Sequence, residues 1–145
     1  MINKISFSFR ATFMIVGITF VILSLSLFLK GLIPSMAEFK VPEPVLSSPH
    51  YFDALLWVYV HMIVIGLLIL LIGISVTDPK KQQWITMILI LIISVYTYLD
   101  FRSSDSALGN GLYKGEASVA PALFSLGVEV LLILLVVRLN TKKSS

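Results

Sequence analysis

The 145-residue chain has no cysteine, only two histidines and little charge of either sign, with 13% of residues Asp, Glu, Lys or Arg. Without cysteine there can be no disulfide, thiol nucleophile, iron–sulfur ligand or thiolate zinc site. A bis-histidine haem within one chain would need both His50 and His61, and His50 lies in a Pro/Ser-rich stretch that argues against it. There is no Ser-His-Asp arrangement, no His-Glu-x-x-His and no cluster of metal ligands, so the sequence implies neither a metal nor a cofactor. Gly109-Asn110-Gly111 reads as a turn, since no Lys-Ser/Thr follows it to make a phosphate loop. A soluble domain carries roughly 25% charged residues, well above this chain.

What the chain does have is apolar surface: 57% hydrophobic residues and a mean hydropathy of +0.96. A domain this small has no core large enough to hide it, so lipid is the natural solvent. Four continuous apolar runs stand out, at about 11–29, 54–76, 84–99 and 118–137. A bilayer core needs ~20 apolar residues in a helix, and the backbone there must satisfy its own hydrogen bonds. The runs do not alternate, which favours helices over a barrel. The expected fold is all-α: an integral membrane four-helix antiparallel bundle, one domain over residues 1–145, with two longer extracytoplasmic loops.

Orientation follows from lysine and arginine near the span ends. Lys4, Arg10, Lys80, Lys81, Arg138, Lys142 and Lys143 fall on one side, seven in all. Lys30, Lys40, Arg102 and Lys114 make four on the other, among Glu38, Glu43, Asp53, Asp100, Asp105 and Glu116. This places a multi-pass protein in the cytoplasmic membrane with both termini inside. The basic residues set topology and do not point to nucleic acid. The connection 77–83 is a tight turn built on Asp78-Pro79, whereas 30–53 is broken by Pro34, Pro42, Pro44 and Pro49. A rival reading takes residues 1–37 as a cleaved signal ending at Ser35-Met36-Ala37, leaving three spans. The apolar run exceeds the ~7–15 residues of a signal core. It also carries Gly17, Ser24 and Gly31 at seven-residue spacing, a stripe suited to close helix packing.

Polar residues inside the runs are the candidate site. A carboxylate at helix centre costs ~2.5–3.5 kcal/mol, so Glu129 is expected to face the protein or a wet cavity. Ser118, Ala122, Ser125 and Glu129 share one helical face. Asp53, Trp57 and His61 form a second stripe, and Tyr96 shares a face with Asp100. At ~1.5 Å per residue from the cytoplasmic ends, Glu129 stands ~13 Å up, Tyr96 ~18 Å and His61 ~24 Å. The order describes a ladder from mid-membrane to a rim of Asp53, Trp57, Asp100 and Arg102. The bland alternative makes Glu129 interhelical glue and His61 a packing residue. Tyr51, Phe52, Trp57, Tyr59, Tyr96, Tyr98 and Phe101 form an interface belt, or else the wall of a lipid or quinone site. Arg102, among acids, either pairs with them or meets an anionic head group.

Four short helices with one intramembrane glutamate resemble the small multidrug transporters. Those carry the acid in the first helix and have shorter outer loops, so their function is not carried over. The favoured reading is a small binding or accessory protein whose outward polar pocket takes a lipid-like or quinone-like molecule. Its partners would be membrane lipids and a second copy or another membrane subunit. The alternatives are an oligomeric proton-coupled transporter using Glu129, and a membrane enzyme using His61 and Glu129.

Overall fold

The computed structural model describes residues 8–31, 34, 43–104 and 120–141. Lys4, Lys40, Lys114, Lys142, Lys143, Glu38, Asp105, Glu116, Ser118, the Ser35–Ala37 motif and the Gly109–Gly111 turn lie outside the described residues. Every element described is a helix, and four are long and apolar enough to cross a membrane.

Two of the long helices begin at a side-chain cap. In α1, Phe9–Lys30, the Ser8 hydroxyl accepts the Ala11 N–H at 3.1 Å, and Gly31, at φ 88°, closes the other end. That φ favours glycine. After a single turn, α2 (Glu43–Leu46), comes α3, Pro49–Ser75, with Ser48 at the cap position. Pro44 and Pro49 thus stand in first turns, where a missing N–H costs nothing, and His50 is helical where the sequence placed it in a loop. The next helix, α4, runs from Pro79 to Ser104. Its cap is Asp78, whose Oδ1 accepts the Lys81 N–H at 2.8 Å. That backbone bond, then the one from Lys80 and the charges of Lys81 and Lys80, hold the Asp78 carboxyl below its ordinary range. The last helix, α5, covers Ala120–Thr141.

The helices overrun the apolar runs at most ends. Asp100 and Arg102 are the clearest case: the sequence put them in a connection, yet α4 continues through both. Hydropathy marks the edge of the lipid, while a helix stops only where its caps or its backbone conformation change.

Packing is pairwise. The first span, α1, lies along α3, α4 lies along α5, and α1 also touches α5, where the rings of Phe20 and Phe124 stand 6.1 Å apart. The α1–α3 contact is made by backbone. A Cβ added to Gly17 would fall 2.8 Å from the Gly66 carbonyl oxygen, and one added to Gly66 would fall 2.9 Å from the Gly17 oxygen. Seven residues further along α3, a Cβ on Gly73 would meet the Phe13 Cβ at 2.7 Å. Small residues let two helices approach closely enough for dispersion and Cα–H···O contacts to accumulate, which is what holds helices together when lipid is as apolar as they are. Of the expected stripe, Gly17 and Ser24 are buried and Gly31 ends the helix.

The α4–α5 contact is made differently. Leu89 and Ile93 of α4 pack with Val128, Leu132 and Leu135 of α5, and polar side chains cross-link the pair along its length. Elsewhere the surface is apolar: Leu91 is 69% exposed and Leu71 59%. In water such faces would drive association; in a bilayer they meet their own kind.

Candidate functional site

Among the described residues, side-chain hydrogen bonds of 2.6 Å bridge α4 and α5 at three levels. Gln83 Nε2 donates to Asn140 Oδ1 near the basic end, the Ser94 hydroxyl donates to Glu129 Oε1 in the middle, and the Ser125 hydroxyl donates to Asp100 Oδ2 towards the far end. The pairings ascend one helix as they descend the other, which is an antiparallel register.

Glu129 and Ser125 are half-buried and Ala122 has no exposed surface, so the small and polar face of α5 is the one turned towards α4. Glu129 Oε2 accepts nothing among the described residues. Between the two upper rungs lies Thr97, 8% exposed, on the same buried stripe of α4 as Leu89 and Ile93. Its Oγ1 is buried and has no hydrogen-bond partner among the described residues. A helical threonine can bond the carbonyl four residues earlier, as Thr86 does with Gln82 at 2.7 Å. Leaving a buried hydroxyl unpaired costs ~1–3 kcal/mol.

The remaining ladder residues are not gathered with Glu129. His61 is exposed on α3, its Nδ1 2.7 Å from the Trp57 carbonyl oxygen and its ring 5.3 Å from the Trp57 ring. A carbonyl oxygen only accepts, so in this bond Nδ1 is the donor. Trp57 is 65% exposed and Tyr96 45%. Asp53 and Arg102 are also exposed.

Ser94, Thr97, Gln83 and Asn140 were not singled out from the sequence. Ser94 could have been. It stands ten residues above Trp84, ~15 Å up, and Glu129 stands ~13 Å up by the same rule, so the two are level. Comparison with family models, with curated proteins and with solved structures gives no match.

Proposed function

We propose that this chain is a small multi-pass binding or accessory protein that holds a lipid-like or quinone-like molecule at the polar seam between α4 and α5. The observation that carries the reading is Thr97: a buried hydroxyl without a partner, set between the Ser94–Glu129 and Ser125–Asp100 rungs. A carbonyl or hydroxyl head group would give Thr97 the hydrogen bond it lacks, and Glu129 Oε2 offers a second contact. The exposed rings of Tyr96, Tyr98 and Phe101 near that end suit an apolar tail. The enzyme reading has less support, since His61 bonds its own helix on an exposed face while Glu129 is engaged by Ser94.

Native mass spectrometry of gently extracted protein tests this. The wild type is expected to retain one small apolar molecule per chain. Ser125→Leu, which fills the seam, is expected to lose it. Thr97→Val is expected to lose most of it while gaining about 1 kcal/mol of stability by removing the unpaired hydroxyl. A wild type that carries nothing, or a ligand indifferent to both substitutions, overturns the reading.

The same proposal arranges the spans as an antiparallel bundle in the cytoplasmic membrane, both termini inside, with a second copy or another subunit as partner. Lysine and arginine near the span ends support that orientation. The absence of cysteine makes a clean test. In intact cells, an impermeant maleimide is expected to label Ser47→Cys and to reach Thr77→Cys only after permeabilisation; the reverse pattern inverts the topology.

A further inference from the structure

At the basic end of the spans a cleft of about 210 Å³ opens between the first turns of α1 and α4 and the last turns of α5. Its polar lining is Ser8, Arg10, Gln82 and Arg138, and its apolar lining is Phe9, Leu135 and Leu139. Arg10 and Arg138 come from the two ends of the chain, yet they line one cavity.

The chemistry of the cleft is that of an anion site. Two guanidinium groups are permanent charges with donor geometry matched to a phosphate. The N-terminal turns of α1 and α4 add partial positive charge at the same level, against the partial negative charge of the last turn of α5, which Arg138 offsets. Gln82 is held in place, its Nε2 donating to the Val76 carbonyl at 2.9 Å. The nearest acid in sequence, Asp78, is turned to the Lys81 backbone N–H and does not line the cleft. Phe9 is buried against Phe13, so the apolar side chain left part-open at the cleft is Leu139, for which a free anion would have no use. A phospholipid would: its phosphate sits at the membrane surface, and its chains run down the apolar side of the helices from there. Basic pockets between spans are where anionic lipid head groups bind.

We propose that this cleft binds a phosphate group, supplied by an anionic phospholipid, with Arg10 and Arg138 clamping the phosphate and Leu139 contacting the chains. The site is separate from the α4–α5 seam and does not depend on it.

The test uses full-length protein in nanodiscs of phosphatidylcholine mixed with phosphatidylglycerol, with native mass spectrometry counting the lipid retained. The wild type is expected to keep phosphatidylglycerol in preference to phosphatidylcholine. Arg10→Gln with Arg138→Gln is expected to lower that retention about tenfold or more, given two basic groups at the membrane surface. Lys80→Gln with Lys81→Gln removes the same charge outside the cleft and is expected to leave retention near the wild-type level. Leu139→Trp keeps every charge, fills the apolar side of the cleft and is expected to lose the lipid, which covers the case in which the arginine pair is needed for folding. Millimolar inorganic phosphate separates the sources. If it fails to displace the lipid, the source is the head group. If it displaces the lipid and also binds Leu139→Trp, the source is free phosphate. Equal losses in the two charge variants, or no preference in the wild type, overturn the proposal.

Discussion

Replacing Gly66 with leucine is expected to separate α1 from α3 and leave little folded protein. At this position a first side-chain atom already meets Val21 Cγ2 at 2.8 Å and the Gly17 carbonyl oxygen at 2.9 Å. Val21 can turn a methyl aside, but a carbonyl oxygen in a helix moves only with its backbone. Overpacking of this kind costs ~1–3 kcal/mol for small additions, so Gly66→Ala is expected in that range and leucine beyond it. Nothing restores the contact afterwards, since no hydrophobic force favours helix on helix over helix on lipid. Thermal unfolding in detergent checks this, with Gly127→Ala as the control, because a Cβ there meets nothing within 4 Å. That control is expected to be neutral or to gain up to ~1 kcal/mol from helix propensity. A double cycle sharpens the claim. Gly17→Ala and Gly66→Ala together are expected to cost less than the two separately, because the first already pushes the helices apart. A Gly66→Leu protein as stable as wild type would remove the basis for this packing.

The apolar runs made the four helices legible, because hydrocarbon thickness sets a length that composition alone reports. Their ends were not. Hydropathy said nothing of Ser8, Asp78 or Gly31 as caps, and it discounted Pro49 as a breaker when its place in the first turn makes it a starter. The site was half legible. Glu129 and Ser125 stood out because a polar residue among leucines is costly wherever it lies, but the cost does not say which helix answers it. Depth matching narrows the partner to a level in the membrane, and at Glu129's level that level contains Ser94. It cannot say which spans are neighbours, so His61 and Glu129 looked like one ladder while they lie on helices with different partners. The Arg10–Arg138 cleft was hidden for the same reason: nothing local to either arginine points to the other end of the chain.

The two pairs of spans are joined by opposite means, and that difference sets what the Ser94–Glu129 bond is expected to contribute. The α1–α3 contact gains from closeness, and the buried Ser24 hydroxyl of α1 bonds within its own helix, to the Phe20 carbonyl at 2.8 Å. The α4–α5 contact brings two carboxyl side chains into apolar surroundings and answers each with a hydroxyl at 2.6 Å. Hydrogen bonds between membrane helices average ~0.6 kcal/mol and reach ~1.7. Taking one partner away costs more than the bond itself, because the other is left desolvated and unpaired, at ~1–3 kcal/mol. Ser94→Ala is therefore expected to destabilise the protein by about 1–3 kcal/mol. Glu129→Gln, which keeps an acceptor facing Ser94, is expected to stay within about 1 kcal/mol of wild type. The double variant Ser94→Ala with Glu129→Leu removes donor and acceptor together and is expected to recover most of what Ser94→Ala loses, since replacing both partners by apolar groups is close to neutral. Denaturant titration in mixed micelles measures all three. Ligand retention in the same samples then separates glue from site. If the double variant is stable and keeps its small molecule, Glu129 serves α4–α5 cohesion alone. If it is stable and empty, the carboxyl contributes to binding through the oxygen that Ser94 leaves open.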